Sequence, residues 1–215
     1  MKLSKRAQDI FDQINREDTK LGELRKIAKE IKRDHDLAIE LWSTGEFFPM
    51  QLAVLIMDKK LLTQESVDQL SRDIEKHDTD KQNRIADWLM ANQLAKDKKT
   101  IALMEGWENS SSVIQRRLFW YHQARLRWVG QTPPDNTEYL LDAIERNIVA
   151  EAPGVQWAMN FTAGQIGVYD KKHRKRCISI GKDTGLYAEE VAPKGCTPNY
   201  LPEFIRMQVE KLDKK

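Results

Sequence analysis

Apolar residues recur at helical spacing along almost the whole chain, and no window of four to eight residues alternates as a half-buried strand would. Such a chain must bury helix stripes against other helices, so an all-α fold is expected. The pattern predicts helices near Ser4–Asn15, Leu21–Lys32, Asp34–Trp42, Phe48–Asp58, Gln64–Glu75, Lys81–Ala95, Lys99–Trp107, Ser112–Val129, Asn136–Asn147, Gly154–Val168, Lys171–Lys182 and Pro202–Leu212. Caps are expected at Asp34, at Thr63 ahead of Glu65 and Ser66, at Ser111 and at Asp170. Pro133-Pro134, Pro153-Gly154, Gly181 and Gly185 break the pattern.

Short helices with short connections group into pairs of roughly 35–45 residues, the repeat length of helical-hairpin solenoids. Self-similarity between the pairs is weak, and an ordinary helical bundle satisfies the same periodicity. A stack of hairpins would leave a concave surface lined by the second helix of each pair. The 215 residues suffice for one domain or two small ones, and a single domain over 1–215 is expected. The least regular stretch, Tyr187–Pro202, carries Pro193, Gly195, Pro198 and Pro202. Tyr200, Leu201, Phe204 and Ile205 are apolar and follow closely, so this segment is expected to wrap back as an ordered loop.

Composition excludes several classes. With 40% hydrophobic and 32% charged residues the chain reads as a globular protein, and it has no 18-residue apolar run that could span a bilayer. The basic start Met1–Arg6 lacks the apolar region of a secretory signal, which makes the cytoplasm the expected compartment; a monomer is the expected state. Cys177 and Cys196, with His35, His77, His122 and His173 scattered before them, offer no zinc-ligand spacing. No metal or cofactor is expected, and both thiols are expected unpaired and at least partly buried. A net charge of +2 cannot argue for nucleic acid alone; the distribution of charge must do so.

Four features could carry chemistry. Trp88 and Asn92 stand at i and i+4, so an aromatic and a short polar side chain share one helix face, an arrangement able to stabilise a cation. Arg116, Trp120, Gln123 and Arg127 fall within an arc of about 60°. That stripe suits phosphate and sugar contacts, or is a solvated face with Trp120 half covered. Lys171-Lys172-His173-Arg174-Lys175-Arg176 sweeps around a helix, so at most three of the six could meet one partner; binding there would be salt-dependent. A solvated charge run reads equally well. Trp157 and Phe161 are again i and i+4, amid small residues at 158, 163, 164 and 167 that permit close helix approach. Trp157 reads as core; Phe161 reads as core or as the lining of a groove.

Together these segments resemble the DNA alkylation repair family, alkylpurine DNA glycosylases built from HEAT-like repeats. The carriers are Leu41-Trp42-Ser43-Thr44-Gly45 with Gln51-Leu52-Ala53, Asp87-Trp88, Ile114-Gln115-Arg116-Arg117, Ala158-Met159-Asn160 through Ile166-Gly167, and Cys196-Thr197-Pro198. Their order spans roughly Leu41 to Ile205, and the later ones look most like a less-characterised branch. The resemblance implies a curved α-solenoid whose basic concave groove grips double-stranded DNA, alkylated or branched. It also implies hydrolysis of the N-glycosidic bond of N3- or N7-alkylated purines by active members. Trp88 then matches the family's first aromatic, Phe161 its second, and Arg116 its backbone-binding arginine. Trp120, Arg127, Lys171, Lys172, Arg174, Lys175 and Arg176 would extend the grip. Asn92 falls where the family has its catalytic aspartate. A unit charge at ~4 Å contributes about 4 kcal/mol at an effective dielectric of 20, roughly a thousandfold in rate. The expectation is therefore a DNA-binding protein with excision weakened or lost. An active glycosylase and a protein-interaction scaffold are the alternatives.

Overall fold

The structure, a computed structural model, describes residues 2–128 and 132–214. Within them every regular element is helical, with no strand. The backbone divides into two compact units, residues 1–115 and 116–215. The first holds α1 (Lys5–Ile14), α2 (Leu21–Ile31), α3 (His35–Trp42), α4 (Phe47–Ile56), α5 (Gln64–Ile74), α6 (Thr79–Asn92) and α7 (Lys98–Glu105). Helix α8 (Val113–Arg125) runs across the division. The second unit continues with α9 (Thr137–Asn147), α10 (Pro153–Tyr169), α11 (Arg174–Thr184) and α12 (Leu201–Asp213). The expected end of α8 at Val129 lies outside the described residues.

In the first unit α4 is the hub, packing against α2, α3 and α6. Its sequence FFPMQLAVLI is apolar nearly all round, and Met50, Leu52, Ala53, Val54 and Ile56 are fully buried. A helix apolar on every side has to be surrounded. Leu89 and Met90 of α6 join this core at zero exposure, each buried aliphatic side chain contributing about 1.5–3 kcal/mol. The Asp34 side chain accepts the Leu37 amide, and Thr63 forms a capping box with Ser66, both as the sequence predicts. Ser4, Asp78 and Asp97 cap α1, α6 and α7 in the same way.

In the second unit α10 packs against α9, α11 and α12. Gly181, expected to interrupt a helix, lies buried inside α11. Its role is proximity: a Cβ there would stand 2.6 Å from Leu201 Cβ and 2.7 Å from Pro202 Cδ. Gly167 of α10 is as tight, its Cβ position 2.5 Å from Ile205 Cδ1. Gly185 does end α11, in the left-handed conformation at φ 63°. The segment after it is tied down: Asn160 Nδ2 donates to Asn199 O at 2.8 Å, and Gln208 Nε2 to Thr197 Oγ1 at 3.1 Å. Cys177 is buried, which pushes its thiol up to about 12, whereas Cys196 is exposed, against expectation; both are unpaired. Among the described residues no helix is long and apolar enough to cross a membrane, and no trio of His, Cys, Asp or Glu could hold a metal.

Candidate functional site

Trp88 and Asn92 sit on the last two turns of α6, both half-buried. The indole Nε1 of Trp88 donates to the Gln51 carbonyl at 3.0 Å, which fixes the ring against α4. The Arg25 guanidinium lies 5.1 Å from the ring centroid, so a cation already faces this aromatic. Asn92 Nδ2 donates back one turn to Trp88 O at 2.8 Å.

Asn92 also lines a cleft of about 420 Å³ with Lys32, Arg33, Lys59 and Lys96. Three helix ends build it. Lys32 and Arg33 follow α2, Lys59 follows α4 in a 3-10 turn, and Lys96 closes the 3-10 turn after α6. Gln93 holds the floor by donating to the carbonyls of Val54 and Met57. Lys59 Nζ donates to Lys96 O at 2.7 Å, and Arg33 pairs with Asp58 at 3.5 Å. This cation cluster was not evident in the sequence, where its members are up to 64 positions apart. The available signal was positional: Lys32 stands at a predicted helix end, and Arg33, Lys59 and Lys96 just beyond one.

The stripe expected on α8 is mostly internal. Trp120 is 2% exposed, and Gln123 and Arg127 are 3% and 4% exposed. Arg127 donates to Gln123 O at 2.9 Å and to Asn136 Oδ1 at 2.6 Å, joining the end of α8 to the start of α9. Desolvation lowers its pKa to about 10. Trp120 and Arg127 therefore have no surface to offer DNA, which corrects the wheel-based expectation. Arg116 keeps 19% of its side chain exposed and pairs with Glu151 at 3.2 Å. Arg117 is interior, donating to Gly154 O and covering the Trp157 ring at 4.8 Å.

Phe161 is half-buried within an aromatic cluster. It stacks on Trp157 at 5.1 Å and 9°, and meets Tyr121, Trp128 and Phe204 at 5.8, 6.4 and 5.9 Å. With Trp128 and Tyr169 it lines a second cleft of about 380 Å³, so the ring is both core and lining. His122 is buried nearby on α8, its pKa lowered by desolvation and by Arg125.

The basic run does not lie on one helix. Asp170 does not cap α11; it accepts the Lys172 amide at 2.9 Å and meets His173 at 2.6 Å, so Lys171 and Lys172 stay in the preceding turn. Arg174 donates to Gly167 O and Val168 O at 2.8 and 2.9 Å, closing the carbonyl end of α10. Arg176 is gripped by Glu138, Asp142 and Glu145 of α9, which raises its pKa. His173 bonds Glu138 at 2.9 Å; that bond raises the imidazole and holds Glu138 down at about 2. Arg174 and Arg176 are thus both engaged by bonds within the fold. Lys171, Lys172 and Lys175 remain exposed, Lys172 with Glu138 at 3.1 Å.

Comparison with curated proteins yields no match. Among solved structures, one chain superposes with a TM-score of 0.69 at 19% identity, over 98% of this chain and 89% of its own length. It is described as one of a new family of proteins related to the HEAT-like repeat DNA glycosylases with affinity for branched DNA structures. The helical architecture is thus a HEAT-like repeat fold. A family model described as DNA alkylation repair enzyme matches residues 16–184, most of the chain. The protein belongs to the DNA alkylation repair enzyme family.

Proposed function

We propose that this chain binds double-stranded DNA, including damaged or branched forms, and that its capacity to excise alkylated bases is weakened or lost. The observation that carries the reading is Asn92. Its amide is committed to the Trp88 carbonyl, and the cleft it lines includes no carboxylate among the described residues. Excision of an alkylated purine builds positive charge at the sugar, and a neutral amide beside cations cannot offset that charge. DNA contact would use Trp88 and the cleft cations of the first unit. In the second it would use Arg116, Phe161, Lys171, Lys172 and Lys175. A family relationship and a structural neighbour described as having affinity for branched DNA support the reading.

Two assays test it. A mobility-shift series at low salt, on plain, alkylated and branched duplexes, should show binding that weakens steeply with salt. A base-release assay on methylated DNA should show no release above the spontaneous rate. Absence of binding to every substrate sinks the first half of the proposal. Release of 7-methylguanine or 3-methyladenine by the unaltered chain sinks the second.

A further inference from the structure

The cleft at Asn92 holds more charge than one backbone phosphate requires. Lys32, Arg33, Lys59 and Lys96 converge on it, and among the described residues Asp58 is the carboxylate that pairs with one of them, Arg33. Cations beyond helix C-termini also offset the helix dipoles. Three such ends meet here, each equivalent to about half a negative charge. Four cations against Asp58 and three half-charges leave about one and a half positive charges without a counterpart. An internal phosphodiester carries one negative charge. A terminal phosphomonoester carries about 1.5–2 at pH 7 and presents three acceptor oxygens.

The backbone gives an independent reason to see Lys32 as more than turn filler. It has φ 67° and ψ −107°, a conformation that glycine adopts freely and a lysine adopts at a cost of about 1–3 kcal/mol. The chain nevertheless carries the cation there. Position 92 fits the same logic. An aspartate would add a negative charge to the wall and repel a phosphate, whereas asparagine keeps the hydrogen bond to Trp88 O without it. Leu55 and Met57 complete the wall with apolar surface for a sugar or base beside the phosphate.

We propose that this cleft receives a terminal phosphomonoester, the phosphorylated end of a DNA strand. Lys59 and Lys96 act as point charges and Arg33 donates to two oxygens at once. The source of the phosphate rests on the DNA-binding reading above; the anion preference of the cleft does not.

The test is calorimetric titration of the full chain with a deoxytrinucleotide bearing a 5′-phosphate, a 3′-phosphate or no terminal phosphate, and with inorganic phosphate alone. At least one phosphorylated form should bind about tenfold tighter than the unphosphorylated one. The preference should vanish in Lys59→Gln with Lys96→Gln, and shrink in Asn92→Asp. Lys32→Gly should also shrink it while leaving the melting temperature unchanged or raised, which separates lost binding from lost folding. Equal affinity for phosphorylated and unphosphorylated trinucleotides, or a preference that survives the double variant, overturns the inference. Inorganic phosphate binding as tightly as the phosphorylated trinucleotide overturns the strand-end assignment. If the trinucleotide preference holds but no duplex is bound, the proposed function fails and the cleft assignment stands. If a duplex is bound but the trinucleotides are not distinguished, the inference fails alone.

Discussion

Two groups of cations in this molecule are arranged in opposite ways. Lys171 to Arg176 are contiguous in the chain, yet α9 meets them with Glu138, Asp142 and Glu145, and α10 meets them with its terminal carbonyls. Lys32, Arg33, Lys59 and Lys96 come from three separate connections, yet they line one cleft. Density of charge along a sequence therefore says little about density of charge at a surface. A run of cations is costly to hold together, so folding recruits anions to it. Dispersed cations can gather after folding because each of the three connections is anchored by its own helix end.

This contrast can be broken at several points. The largest effect is expected from Lys59→Glu with Lys96→Glu, which should weaken duplex binding about a hundredfold, or ~2.7 kcal/mol. Thermal unfolding should barely move, and Lys171→Glu with Lys175→Glu should weaken binding less. Equal losses in the two pairs would erase the distinction. Next comes Arg174→Ala, which strips donors from the Gly167 and Val168 carbonyls and should cost about 1–3 kcal/mol in chemical denaturation. Its effect on DNA affinity should be the smaller one, as befits a structural cation.

The His173–Glu138 contact makes a pH prediction. The folded-state pKa of His173 is raised above 6.5, so its contribution is complete below that pH and is lost as pH climbs through the raised value. Glu138 is depressed from 4.5 to about 2, so its contribution is present above 4.5 and is lost as pH falls toward 2. The melting-temperature difference between the unaltered chain and His173→Gln should peak between those limits and shrink on either side. A flat difference would mean the imidazole is not charged in the pair. The smallest effect is expected from Lys175→Gln: an unchanged melting temperature and, if Lys175 meets a phosphate, a salt-dependence slope lower by about one.

The helices were readable in advance because their signals are local. Asp34 and Thr63 cap the helices the sequence assigns to them, and Gly185 ends α11. Asp170 and Gly181 depart from expectation for different reasons. Asp170 spends its carboxylate on local partners, the Lys172 amide and His173, in the turn before α11, whereas the local meaning of Gly181 is overridden by a tertiary partner, the Leu201–Pro202 step. The wheel placed Arg116, Trp120, Gln123 and Arg127 on one side of α8 but could not say which sides would be covered. Neighbouring elements bury three of the four. For the candidate site, Trp88 and Asn92 were visible as a pair one turn apart. The cations around Asn92 were not, since nothing local links positions 32, 59 and 96.

The glycines that face α12 carry a consequence for how the chain can vary. At positions 164, 167 and 181 the space beyond the backbone is already filled by Leu201, Pro202, Phe204 and Ile205. A single methyl group at 167 or 181 would act as a wedge between helices, while the opposing side chains could shrink and leave only a void. Divergence at this seam is therefore lopsided: substitutions on α12 can be absorbed by repacking, a methyl at 164 or 167 requires Phe204 or Ile205 to move, and one at 181 meets Leu201 Cβ and the Pro202 ring, which have little freedom to yield.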